Sequence, residues 1–314
     1  MSSYLNNVAF QHETKAREWL EHQLWPEGPV CPFCGTLDNA TAVKTRPGLY
    51  QCNEPECRKQ FTVTVGTLFE RSHVKLHKWL QAAYLLCASK KGMSTHQLHR
   101  MIGVSYKSTW FMMHRIREAM REGKFPGPLG GEGKTVEIDE TFVGGLEKNK
   151  HRRNRKHAGT GGAGKEAVFS LVERGGSVRS HHVPAVNAKT LRPILVSQVD
   201  RGSFLMTDEA APSKMMGREF ERHESVNHSI GEYVRGDAHT NTIENYFSIL
   251  KRGITGTYHH VSQQHLKRYL AEFDFRYNER AALDVTDGER TVKALKGIVG
   301  KRLTYRRTGE RAAS

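Results

Sequence analysis

No apolar run in this chain of 314 residues approaches the roughly 20 that a helix needs to cross a bilayer, so no membrane-spanning helix is expected. Acid is the scarcer charge. Asp and Glu number 33 against 48 Lys and Arg, and the net charge of +15 favours a polyanionic partner. No long basic helix with a clean apolar face stands out, which points that charge away from an anionic membrane surface and towards nucleic acid. Residues 1–7 lack both a basic flank and an apolar stretch, so no secretory signal is expected. Cysteine is sparse and odd in number. With five in all, four of them between positions 31 and 57, metal ligation is favoured over a disulfide framework. No internal repeat is visible.

What is present changes character at a Gly/Pro-rich stretch, 123–133. Before it, residues 11–24 read as a short amphipathic helix, and 49–52 and 60–65 alternate as strands. A helix is expected over 76–88. Ser94 then caps a short helix carrying Leu98, Met101 and Ile102, and Ser105 caps a third on which Met113, Ile116 and Met120 recur. After the stretch, 135–139 alternates as a strand, 167–172 and 178–183 form a hairpin, and 204–207 is a short buried strand. Helices are expected near 189–199, 242–251 and 262–278, giving a mixed sheet flanked by helices.

Cys31-x2-Cys34 and Cys52-x4-Cys57 have the paired spacing that brings four thiolates around one zinc ion. Four protein ligands leave no open position, so the site is structural. Cys87 shares a helical stripe with Leu76, Leu80 and Ala83 and reads as core.

Helix, Gly103-containing turn, helix is the helix-turn-helix pattern. Its second helix offers Lys107 and Ser108 at the start and Arg115 further along as DNA-contacting residues. An ordinary helical hairpin has the same spacing, and both readings stay open.

Three acids fall at places suited to chemistry. Asp139 is expected at the end of one strand and Asp208 follows another, while Glu244 lies near a helix start with Lys251 seven positions on, on the same face. Hard oxygen ligands suit Mg²⁺ or Mn²⁺, and such ions serve in-line phosphoryl displacement. Each acid also has a plain reading as a cap or a solvated charge, and spacing alone does not choose.

The motifs together resemble an insertion-sequence DDE transposase of the ISXO-like branch with an N-terminal zinc ribbon. The resemblance rests on Cys31-Pro32-Phe33-Cys34-Gly35, Gly66-Thr67-Leu68-Phe69-Glu70-Arg71-Ser72, and Val136-Glu137-Ile138-Asp139-Glu140-Thr141-Phe142-Val143-Gly144-Gly145. Thr207-Asp208, His239-Thr240-Asn241-Thr242-Ile243-Glu244-Asn245, Leu250-Lys251-Arg252-Gly253 and Phe273-Asp274-Phe275-Arg276-Tyr277-Asn278 extend it. It implies a ribonuclease-H-like catalytic domain with Asp139, Asp208 and Glu244 as magnesium or manganese ligands and Lys251 as a contact to terminal DNA. The basic stretch carrying Arg152, Arg153, Arg155 and Lys156 would then touch phosphates.

The expected fold class is multidomain α+β. An N-terminal helix (1–27), a zinc ribbon (28–74) and a helix-turn-helix (75–122) precede a linker (123–134), a ribonuclease-H-like α/β catalytic domain (135–283) and a basic C-terminal segment (284–314). The expected function is a cytoplasmic, nucleoid-associated transposase acting on DNA as a homo-oligomer. It would cleave the ends of an insertion sequence and join them to target DNA, with structural zinc and catalytic Mg or Mn. Its rivals are a non-catalytic DNA-binding regulator and a ribonuclease-H-like nuclease without strand transfer.

Overall fold

The computed structural model describes residues 4–123, 127–145, 151–155, 162, 164–208, 218–226 and 236–304. The chain divides into two compact units, Met1–Arg121 with Ala281–Ser314, and Glu122–Arg280. Among the described residues no helix is long and apolar enough to cross a membrane.

In the first unit, helix α1 (Glu13–Leu24) precedes a three-stranded antiparallel sheet of β1 (Ala40–Ala42), β2 (Tyr50–Cys52) and β3 (Gln60–Phe61) in that order. Helix α2 (Leu76–Ala88) follows as its apolar stripe predicts, and α3 (Thr95–Ile102) and α4 (Tyr106–Met120) follow where their caps predict. Ser94 accepts from the Gln97 amide, Ser105 accepts from the Ser108 amide, and Gly103 turns left-handed at φ 67° between α3 and α4. The Glu13 carboxylate accepts from the Leu76 and His77 amides at 2.9 and 3.3 Å, satisfying the open N–H groups at the start of α2. Cys87 is fully buried, as expected of a core residue.

The sequence reading places no helix beyond residue 278, but α8 (Asp287–Lys296) opens on a capping box in which Thr286 and Glu289 satisfy each other's backbone. It packs within the first unit. Arg290 donates to the Cys87 carbonyl at 3.0 Å, and Lys301 donates to the Glu118 and Ala119 carbonyls at the end of α4. Of the basic tail, Arg302 is described, and Arg306, Arg307 and Arg311 lie outside the described residues.

The second unit is a five-stranded mixed sheet of order β6-β5-β4-β7-β8. Its strands are β4 (Thr135–Val143), β5 (Glu166–Glu173), β6 (Val178–Val183), β7 (Phe204–Thr207) and β8 (Arg222–Ser225). The hairpin β5–β6 is antiparallel as expected, β5 is antiparallel to β4, and β7 and β8 run parallel to β4. Alternation along β4 splits its side chains. Val136 and Ile138 join the core containing Leu191 and Leu195 of α5 (Ala188–Gln198). Val143 joins the core formed by α6 (Asn241–Gly253) and α7 (Gln263–Asn278), with Ile243, Phe247, Leu250 and Phe273. Both faces of the sheet are therefore covered. Leu129, inside the stretch expected as a linker, is buried and bridges to Val199.

Behind the sheet, Asp274 accepts from the Ser180 amide at 2.8 Å, the Ser180 hydroxyl at 2.7 Å and the Tyr246 hydroxyl. Burial pushes its carboxyl up to about 7. A carboxyl raised above its unfolded value makes the folded state the better proton binder, so its contribution to stability is lost as pH rises from about 4 to about 7. The full difference is on the order of 4 kcal/mol. Asp274→Asn keeps the shape and removes the charge, so unfolding midpoints in denaturant at pH 5 and pH 8 should lie closer together than in the parent. An unchanged gap would refute this.

Candidate functional site

The four cysteines converge at one end of the ribbon. Gly35, left-handed at φ 78°, lets its amide turn back to the Cys31 carbonyl at 2.8 Å, and the Cys57 amide donates to the Glu54 carbonyl at 3.0 Å. The four sulfurs all lie within 4.8 Å of one another, with Cys31 and Cys57 3.7 Å apart and Cys34 and Cys52 3.6 Å apart. Sulfurs at the corners of a tetrahedron about 2.3 Å from a central zinc are roughly 3.8 Å apart, so the cluster has the size the ion requires. The hydroxyl and backbone of Thr36 hold the Cys34 thiol down at about 6, while burial pushes Cys52 up to about 12. Among the described residues this is the only set of three or more His, Cys, Asp or Glu side chains closed tightly enough to hold an ion.

The predicted carboxylates sit on the second unit. Asp139 does not end its strand, because β4 continues to Val143 against β5. What ends there is the other neighbour. The parallel ladder to β7 stops at Ile138 opposite Thr207, so Asp139 and Asp208 are the next residues along two adjacent strands. Such strands lie about 4.8 Å apart. Desolvation, then the nearby Asp208 charge, pushes Asp139 up to about 8, with Glu140 and Glu244 adding to the effect. Glu140 is raised by desolvation and by Asp208 as well. Glu244 is exposed near the start of α6 and accepts from the Thr240 hydroxyl at 3.0 Å. The three acids are thus within electrostatic reach of one another, but among the described residues they do not close around one point. Their chemistry fits a hard divalent ion.

Lys251 is exposed on the face of α6 that carries Glu244, with Ile243, Tyr246, Phe247 and Leu250 buried opposite. A π-helical turn follows (Ile254–Tyr258), an irregularity that often marks functional sites. Arg152, Arg153 and Arg155 are exposed on and beside a short turn, and Lys156 lies outside the described residues. In the first unit Lys107 is exposed, whereas the Ser108 hydroxyl accepts from Ser105 at 3.0 Å. Arg115 turns inward. It donates to the carbonyls of Leu303 and Glu70 and stacks over Phe111, and burial lowers its basicity.

Sequence reasoning passed over Glu137, a polar position in an alternating strand. It has no exposed surface. Its carboxylate accepts from the Ile243 amide and the Thr242 hydroxyl, both at 2.9 Å, and from Arg174 at 2.6 Å. The available signal was the central place of β4. At its middle, where helices cover both faces of the sheet, such a strand buries side chains on either side, and a buried acid needs partners.

An ISXO2-like transposase domain matches residues 128–278, and a transposase zinc-ribbon domain matches residues 11–60. An uncharacterised protein in transposable element ISH50 of Halobacterium salinarum is 32% identical over 284 residues, covering 85% of this chain and 91% of that protein. Among solved structures, a simian T-cell lymphotropic virus intasome in complex with PP2A regulatory subunit B56 gamma aligns over 56% of this chain and 63% of that one. The identity is 13% and the TM-score 0.26.

Proposed function

Because the chain belongs to the ISXO2-like transposase family, we propose that it binds the ends of an insertion sequence, cleaves them and joins them to target DNA through a DDE carboxylate site. The observation that carries this reading is the pairing of Asp139 with Asp208 at the point where β4 loses its parallel neighbour. A desolvated Asp139 beside the Asp208 charge raises the free energy of the fold, and a cation relieves that cost. Asp139, Asp208 and Glu244 would hold magnesium or manganese. When bound, such an ion supplies electrostatic stabilisation to the oxygens that gain charge during phosphoryl transfer.

The sheet order, with an antiparallel hairpin on one side of β4 and two parallel strands on the other, supports a ribonuclease-H-like reading. Lys251 places a positive charge on the accessible face of α6, where it can hold a phosphate of the terminal DNA in line with Glu244. Arg152, Arg153 and Arg155 add sequence-independent attraction for the backbone. Helices α3 and α4 serve as the helix-turn-helix, with Lys107 the residue of its second helix that projects at the start. Arg115, engaged within its own unit, drops out of the DNA-contacting set. Joining two ends at one target calls for at least two copies of the chain.

The test is a joining assay with Mg²⁺ and duplexes carrying the inverted repeats that flank the coding region. Nicked ends with a free 3′-hydroxyl and covalently joined products are expected. Cutting without joining would leave the nuclease reading, and binding without either would leave the regulator.

A further inference from the structure

We propose that Glu137 and Arg174 are positioning residues that hold the third carboxylate, Glu244, in register with Asp139. The proposal rests on the carboxylate site described above. Glu137 and Asp139 are two residues apart on β4 and share the face that α6 covers. Glu137 meets the first turn of α6, at Thr242 and Ile243, and Glu244 is the next residue along. An anionic side chain at a helix N-terminus satisfies an open amide and opposes the positive end of the helix dipole. The start of α6 is therefore fixed to the strand that carries Asp139.

Arg174 completes the clamp from the β5–β6 turn. Its Nε donates to Glu137, and its two terminal nitrogens donate to the Asp237 and His239 carbonyls at 3.0 and 2.9 Å. His239 itself lies 3.4 Å from Glu137. One guanidinium thus ties the segment leading into α6 to the same buried acid. The planar fork of arginine makes three such bonds at fixed angles, which lysine does not. Neither Glu137 nor Arg174 needs to touch DNA or the reacting phosphate. Their effect passes through the placement of Glu244, much as outer partners orient the ligands of a metal site.

The experiment measures Mn²⁺ binding to the full chain by calorimetry, alongside melting and DNA-end binding without divalent ions. Glu137→Gln and Arg174→Lys are compared with the parent and with Asp139→Asn. Each positioning variant is expected to weaken Mn²⁺ binding by about tenfold or more. The melting temperature stays close to the parent's and DNA-end binding stays within about twofold, which general loss of structure would not permit. Parent-like Mn²⁺ affinity in folded Glu137→Gln, with binding lost in Asp139→Asn, overturns the positioning role and leaves the carboxylate site standing. Parent-like affinity in Asp139→Asn overturns the carboxylate site itself. If Glu137→Gln unfolds, Arg174→Lys carries the decision by the same criterion, since its side chain keeps its charge at a partly exposed position.

Discussion

Cys52→Ser, or removal of metal by a strong chelator, is expected to unfold the segment between residues 28 and 60. The apolar cluster there is small. Cys31, Cys52 and Phe61 are its buried members, with Trp25, Tyr50 and Val65 packed around them. Two of the three are themselves ligands, so without the ion the cluster holds Phe61 and free thiols. The strands are two or three residues long, too short to persist alone. Structural zinc in comparably small domains contributes an apparent 10–16 kcal/mol, roughly, far more than such a core supplies. The expected result is one zinc per chain in the parent, none in Cys52→Ser, and rapid proteolysis of this segment in the variant. A variant that keeps its zinc and resists protease would show that the fourth thiolate is dispensable and that the ribbon stands on its own packing.

The second large effect is catalytic. Asp139→Asn keeps size and shape but removes the charge that faces Asp208. Stabilisation of phosphoryl transfer by a bound divalent ion amounts to several kcal/mol, and each 1.36 kcal/mol is tenfold in rate. Cleavage of end DNA is therefore expected to fall by about a thousandfold or more, with end binding by mobility shift retained. In the metal-free protein the Asp139 carboxyl, pushed up to about 8, must take up a proton on folding at neutral pH, a cost that Asn does not carry, so the melting temperature should rise. Loss of activity with gain of stability separates a functional carboxylate from a structural one. Cleavage at parental rate would remove Asp139 from the chemistry.

Features carried by local signals were legible in the sequence. Ser94, Gly103 and Ser105 mark their helix boundaries because a cap or a left-handed turn involves only a few neighbouring residues. The cysteine spacing was equally plain, since each knuckle is a tight turn whose geometry its own residues set. Strand β8 was not legible. Arg222-His223-Glu224-Ser225 shows no apolar alternation, and it is a strand because β7 offers an open edge. Helix α8 was hidden in a stretch whose charge drew attention from Ala294 and Leu295, both buried.

Long-range partners also engage single residues in ways no local pattern shows. Arg115 sits on a helix whose pattern offers it to DNA, and its Nε and Nη1 donate to carbonyls 188 and 45 positions away. Glu137 alternates like a solvated residue, but the amide it accepts from is 106 positions further on.

The sequence by itself determined the family, the four cysteines of the zinc-ribbon cluster, most helix boundaries and the identity of the acids, because each depends on residue type at short, fixed spacing. Only the tertiary structure decided that Asp139 and Asp208 are neighbours, that Glu137 is buried under α6 and that the C-terminal helix belongs with the N-terminal unit. Those outcomes follow from strand order and helix packing, in which segments far apart in the chain compete for the same surface, and no local pattern encodes who wins.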